Sequence, residues 1–150
     1  IVDDTLTRTG HALMHDDFDA FVACFKLPHV IETFEGRQNV KTADDLKNLF
    51  HSVRAFHRRK GIDRIVRSCR QAEYKDEDTI EGVYEALFFS GNTLVQSVHS
   101  TFVMLTRTDG IWQVGYNMYG VTEENGLWDA LVHSPCYTPA DTASENQATG

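Results

Sequence analysis

Few side chains in this sequence could do chemistry, and Glu85 is the sharpest of them. It sits in an aromatic, β-branched run, and a carboxylate among apolar rings has its pKa raised by desolvation, which suits it to exchange a proton near neutral pH. An exposed glutamate on a sheet is the commoner fate of that residue type. Asn117 and Tyr119 stand at alternate positions of a later run, so on a strand their amide and phenol share one side, as groups that orient a carbonyl or hydroxyl ligand must. His29 follows Pro28 at the start of a short β-type run, a surface position or a pocket mouth. His11 and His15 are four residues apart on a helical stretch, a spacing that can hold a metal, but no third ligand stands beside them, and no metal or other cofactor is expected. Seven basic residues, Arg54, Arg58, Arg59, Lys60, Arg64, Arg67 and Arg70, crowd one short span of an acidic chain. A helix C-terminus accounts for Arg58 to Lys60, while Arg64, Arg67 and Arg70 could contact an anionic ligand or pair with the acidic surface of a partner subunit.

The elements that must position these groups are legible from periodicity. Leu6, Leu13 and Met14 mark a first helix over residues 2–15, weakened at Gly10. Phe18, Phe21, Val22 and Phe25 form one stripe of a second helix capped by Asp16 or Asp17 and stopped by Pro28. His29 to Phe34 then reads as a strand, and Gln38 to Lys41 as its hairpin partner. Thr42 to Asp45 is a capping box for a third helix, with Leu46, Leu49, Phe50, Val53 and Phe56 on its apolar face and Gly61 as its stop. Four long strands follow, 62–74, 79–89, 94–106 and 111–121, separated by Asp76-Glu77-Asp78, Gly91-Asn92 and Asp109-Gly110. Residues 123–133 read as a terminal helix, and residues 134–150, small and polar, as a mobile tail after a single domain over 1–133. The fold class expected is α+β, N-terminal helices packed on a curved, mainly antiparallel sheet that encloses a pocket.

This order, the stretches DDFDAFVACFKLPHVIETFEG and TADDLKNLF, and the hairpin TFVMLTRTDGIWQVGYNMYG resemble the nuclear transport factor 2-like superfamily, over residues 5–121. Its members include ketosteroid isomerase, scytalone dehydratase and the SnoaL-like polyketide cyclases. The resemblance implies a cone-shaped pocket between sheet and helices, and a homodimer through the outer sheet face. It puts the isomerase's base at Thr33, its oxyanion-binding tyrosine near Thr9 and its partner acid near Ser100 or Phe102. Threonine has no group that ionises near neutral pH, so that apparatus is missing. The resemblance also turns the Asn117 and Tyr119 face inward. Strand parity across a hairpin closed by Asp109-Gly110 then adds Gln113, Gly115, Ser100, Phe102 and Met104 to the inner face, and Val83, Glu85, Leu87 and Phe89 across the preceding turn. Trp112, Val114, Tyr116 and Met118, with His99 and Tyr84, fall on the outer face, where they would pack in the dimer. A single bulge inverts such assignments.

Bulk properties fit that reading. A chain of 150 residues, 41% hydrophobic and 24% charged, can bury a core as one domain. Its apolar runs are far shorter than the roughly 20 residues that span a bilayer, and no membrane association is expected. A net charge of -8 opposes nucleic-acid binding. Cys24, Cys69 and Cys136 form no CxxC pair, which points to a reduced, cytoplasmic setting. Phosphate loops and acyl-enzyme motifs are missing. Two functions fit. One is a SnoaL-like small-molecule-binding protein acting on an apolar cyclic carbonyl or hydroxyl compound as an isomerase, cyclase or dehydratase. In it Glu85 would exchange the proton, and Asn117, Tyr119, Ser100, Phe102, Met104, Gly115, Thr33 and Phe89 would line the ligand site. The other is a non-catalytic dimeric association module.

Overall fold

The computed structural model describes residues 1–34, 36–95 and 99–120, and the backbone of 137–139. Helix α1 (Val2–Met14) buries Val2, Leu6, Ala12 and Leu13 together with Thr5 and Thr9. Both threonine hydroxyls are satisfied inside the helix, Thr5 donating to the Ile1 carbonyl and Thr9 to that of Thr5, at 3.1 and 3.0 Å. Helix α2 (Phe18–Val22) is capped by the Asp17 carboxylate, which accepts from the Ala20 N–H at 3.1 Å. It ends one turn before the expected stop at Pro28. The chain is instead taken up by the sheet: strand β1 (Phe25–Thr33) begins as the Cys24 carbonyl accepts from the Val114 N–H at 2.8 Å. The pairing register slips between Phe25 and Val30, and Pro28, with its cis Leu27–Pro28 bond, lies within that slip, where the ladder lacks nothing from its missing N–H.

Strand β2 (Gly36–Val40) returns antiparallel to β1, His29 opposite Val40. Helix α3 (Ala43–Lys60) opens on the capping box. The Asp45 N–H donates to Thr42 Oγ1 at 3.1 Å, and the Thr42 N–H to Asp45 Oδ2 at 3.3 Å. It stops at Gly61, whose φ of 66° is the left-handed conformation that glycine adopts without penalty. Strands β3 (Arg64–Asp76), β4 (Thr79–Ser90), β5 (Thr93–Leu94), β6 (His99–Thr108) and β7 (Ile111–Tyr119) follow. The sheet order is β3-β4-β6-β7-β1-β2-β8, with β5 beside β4, and all described pairings are antiparallel except β1 with β7. Strand β8 (Tyr137–Pro139) extends the β2 edge from within the segment read as a mobile tail. The helix expected over 123–133 lies outside the described residues.

Helices α1 and α3 cover the concave side of this curved mixed sheet. One core cluster joins Leu46, Leu49, Phe50 and Phe56 of α3 to Ile31, Val40 and Phe88 of the sheet. A second joins Val2 and Leu6 of α1 to Ile80, Tyr84, Val103, Leu105 and Val114. This is an α+β fold with helices on one face of a curled sheet, as expected. Among the described residues no helix is long and apolar enough to cross a membrane.

One irregularity decides which residues face the core. The β6–β7 hairpin turns through Asp109 and Gly110, both at positive φ (52° and 77°), a two-residue loop that pairs Thr108 with Ile111 and, in step, Leu105 with Val114. The next pair is Met104 with Tyr116. Gly115 is therefore an extra residue, a bulge that reverses the alternation along β7, so that Val114 on one side of it and Asn117 and Tyr119 on the other all face the concave side.

Candidate functional site

Between the helices and the concave face lies a cavity of about 90 Å³. Its walls are mostly apolar: Leu6 and Leu13 from α1, Phe21 from α2, Leu49 and Val53 from α3, and Ile31, Phe88 and Val103 from the sheet. Into this shell come Asn117 and Tyr119 from β7, Tyr84 from β4, Arg67 from β3, His57 from α3, His29 from β1 and His99 from β6.

Asn117 and Tyr119 stand where expected. The remaining inward assignments are corrected by the Gly115 bulge, which puts β6 and β4 one residue out of the step read from the hairpin. Thr101, Val103 and Leu105 face in, so Ser100, Phe102 and Met104 face out; Tyr84, Ala86 and Phe88 are buried, so Val83, Glu85, Leu87 and Phe89 belong to the other side. Glu85 is not in the cup. Its carboxylate pairs with Arg70 at 3.0 Å on the convex surface, with 36% of its side chain exposed. Phe89 lies under the Arg64 guanidinium, 4.3 Å from the ring centroid, and Gly115 contributes only the bulge. Thr33, at the far end of β1, is outside the cavity lining, its hydroxyl 3.5 Å from the Gly36 carbonyl. His99 and Val114, expected on the outer face with Tyr84, line the cavity. Trp112, also expected outside, packs against the cluster around Leu105. His29, read as a surface or mouth residue, is 1% exposed.

The electrostatics of the cavity follow from burial. Desolvation pushes His29 down to about 4, against the opposing effect of hydrogen bonding to the Gly115 and Val114 backbone. Desolvation also takes His57 to about 4, aided by the charges of Arg67 and Arg54. Both imidazoles are therefore neutral at physiological pH, and among the described residues the Nδ1 of each has no hydrogen-bond partner. Burial raises the Tyr119 phenol well above its usual value, with a contribution from its hydrogen-bonded neighbour Tyr84, so it is a neutral donor.

Arg67 is the cation of the cavity. Its Nη2 donates to Thr9 Oγ1 at 2.9 Å and to the Leu6 carbonyl. Gly10 makes room for it, since a Cβ there would stand 2.8 Å from Nη2. The helix-weakening glycine thus has a packing reason. The other members of the basic cluster are engaged differently: Arg54 with Asp16 at 3.2 Å and with the Leu13 carbonyl, Arg70 with Glu85, and Arg64 on Phe89.

Sequence reasoning missed His57 and Tyr84 as site residues and weighed Arg67 only within the basic cluster, although His57 and Arg67 each left a signal. His57 extends the Leu46-Leu49-Phe50-Val53 stripe at helical spacing, and Arg67 alternates with Ile65 on the concave side of β3.

No protein-family model matches the sequence, and no curated protein does. Solved structures do match in shape. A protein of unknown function from Mycobacterium tuberculosis superposes with a TM-score of 0.67 at 12% identity, over 93% of this chain and 90% of its own. An NTF-2 like protein of unknown function from Shewanella oneidensis gives 0.59 at 9% identity, over 80% and 96%. A Thiobacillus denitrificans protein named as a calcium/calmodulin-dependent protein kinase type II association domain gives 0.64 at 10%, over 81% and 94%. At these identities the likeness speaks for architecture rather than activity. Helices on a curled sheet, closed over one cavity, give this chain the nuclear transport factor 2-like fold.

Proposed function

We propose that the protein binds a small, largely apolar molecule carrying a carbonyl or hydroxyl oxygen inside the concave cavity, and acts on it by general acid–base chemistry. The observation that carries this reading is the coexistence, in one apolar shell, of a neutral imidazole with an unpartnered nitrogen, His57, and neutral donors, Tyr119 and Asn117. An apolar cleft with a few convergent polar groups is the usual form of a ligand site. His57 takes the proton that Glu85 was expected to take, and Tyr119 and Asn117 hold the oxygen on which charge develops. Isomerisation, cyclisation and dehydration by acid–base catalysis all use such a proton transfer, and the SnoaL-like cyclases are the analogy that the sequence resemblance offers. The cavity limits the ligand: about 90 Å³ is smaller than the ~150 Å³ space known to hold benzene, so a steroid-sized ligand does not fit.

The test is exchange of the α-hydrogens of small ketones in D2O, followed by proton NMR. Wild-type protein accelerates exchange, and His57→Gln abolishes the acceleration while keeping the fold. Equal rates with and without wild-type protein, across butanone and its branched homologues, would remove the acid–base reading.

A second reading rests on the convex face. Val83, Phe102, Met104, Tyr116 and Met118 are partly or largely exposed there, with Glu32 hydrogen-bonded to Tyr116 at its rim. That stripe fits a homodimer through the outer sheet face, built from these residues rather than from Trp112 and His99, and the similarity to an association domain agrees with such a use. Native mass spectrometry of freshly purified protein reads subunit number and any retained small molecule together. A monomer at micromolar concentration that stays monomeric on dilution would remove the dimer.

A further inference from the structure

The Arg67 guanidinium is a charge in a setting that lacks its counter-charge. It lines a predominantly apolar cavity, and its hydrogen bonds go to two neutral acceptors, the Thr9 hydroxyl and the Leu6 carbonyl, both through Nη2. A guanidinium carries five N–H donors, so Nε and Nη1 remain for a further partner. No carboxylate of the described residues lies within ion-pair distance of it, although Arg8, Arg37, Arg54, Arg70 and Arg107 all have one. Arg67 is half-buried, so water screens part of its charge, and the share taken into apolar surroundings is costly unless it is paired. The chain nonetheless keeps the group in place, with Gly10 leaving the space it fills against α1. The same sheet face offers the phenols of Tyr84, on the adjoining strand, and Tyr119 and the amide of Asn117, which can also donate.

We propose that Arg67 is the head-group site of the cavity and that the ligand is a small apolar monocarboxylate, one oxygen taken by an unused N–H of the guanidinium and its hydrocarbon end by the Leu6, Val53 and Phe88 side of the shell. This rests on the cavity being a ligand site, and it narrows the ligand from any oxygenated molecule to an anion. With Nη2 taken, the remaining N–H groups diverge, so the carboxylate accepts one charge-assisted hydrogen bond, about twice as strong as the bond a neutral ketone or alcohol oxygen accepts. The cavity volume sets an upper limit of about four carbons on the acid: 2-methylpropanoate already has as many heavy atoms as benzene, which occupies a ~150 Å³ space. The acidic chain as a whole would repel such an anion, so affinity must come from this local cation rather than from the overall field.

The experiment compares three probes of nearly equal shape, 2-methylpropanoate, 2-methylpropanamide and 3-methyl-2-butanone, by isothermal titration calorimetry and thermal shift on the full chain at neutral pH. The carboxylate is expected to bind at least about tenfold tighter than the amide, as charge-assisted hydrogen bonds do over neutral ones. Arg67→Gln should erase that preference. The comparison among probes on wild-type protein needs no mutant, so it stands even where Arg67→Gln folds poorly. Amide or ketone binding equal to that of the carboxylate overturns the anion assignment and leaves the cavity reading intact. No heat and no thermal shift with any of the three overturns both.

Discussion

Replacing Gly10 by alanine should destabilise this protein slightly, although the same change in an open helix stabilises one. In a helix interior, alanine is better than glycine by about 1 kcal/mol. Here the new methyl group would stand 2.8 Å from Arg67 Nη2, closer than real contacts allow, so the guanidinium must withdraw. Withdrawal breaks its hydrogen bonds to Thr9 Oγ1 and the Leu6 carbonyl. Bonds from a charged donor are worth about 1.5–3 kcal/mol each, and since Arg67 is only half-buried, water restores much of that, leaving a loss of about 1.5 kcal/mol for the pair. The net effect is a destabilisation of about 0.5 kcal/mol. In an Arg67→Met background the obstruction is gone, and Gly10→Ala should recover its full gain of about 1 kcal/mol. The four proteins form a double-mutant cycle with a coupling of about 1.5 kcal/mol, measured from urea midpoints at a common slope. Equal stabilisation by Gly10→Ala in both backgrounds, within about 0.5 kcal/mol, would mean that the guanidinium does not rest on α1.

Other consequences can be measured on the same protein. His29 and His57 titrate near 4 when folded and near 6.5 when unfolded, so between these values the unfolded chain binds more protons. Stability should be constant above about pH 6.5, fall as pH drops toward 4, and lose nothing more from these groups below that; each contributes up to about 3 kcal/mol. Urea midpoints that stay level from pH 7 to 4 would contradict the burial of both rings. Leu46 is 0% exposed in the core, so Leu46→Ala should cost about 2–5 kcal/mol in chemical denaturation, and a loss below 1 would show the α3 face to be loosely packed. Gly110→Ala should cost about 1 kcal/mol because of its φ of 77°. Gly115→Ala, whose added Cβ meets nothing closer than 4.0 Å, should change stability by less than about 0.5 kcal/mol. A large loss at Gly115 would mean that the bulge itself demands glycine.

The elements were easier to read than the faces they present. Capping of α3 and its glycine stop are local chemistry, carried by Thr42, Asp45 and Gly61, and survive intact from sequence to structure. The end of α2 is not local: Phe25 keeps helical spacing with Phe18 and Phe21, but its backbone is claimed by β7, ninety residues away. The inward assignments failed for a similar reason. Alternation along β6 and β4 was projected through Asp109-Gly110 in strict step, and one extra residue at position 115 reversed every pair beyond it. Asn117 and Tyr119 survived because their orientation was taken from the family resemblance rather than from the hairpin. Arg67 was visible only as one of seven clustered basic residues; what separates it from Arg64 and Arg70 is a helix packed over the strand, with Gly10 at the crossing.

The Gly115 bulge makes the register of β7, more than its composition, the variable on which both surfaces depend. Past the bulge, odd-numbered residues of this strand write the interior, Asn117 and Tyr119, while even-numbered ones write the exterior, Tyr116 and Met118. Deleting Gly115 would leave both texts as they are, because Met104 already pairs with Tyr116 directly after Leu105 with Val114. Letting Gly115 pair in step with Met104 would instead exchange them: a phenol and a thioether would turn inward, and an amide and a second phenol would turn out. Ligand chemistry and subunit contacts would then change together, with no side chain substituted. Among proteins of this shape, register shifts in the closing hairpin therefore offer a route to new cavities that point substitutions, confined to one face at a time, do not.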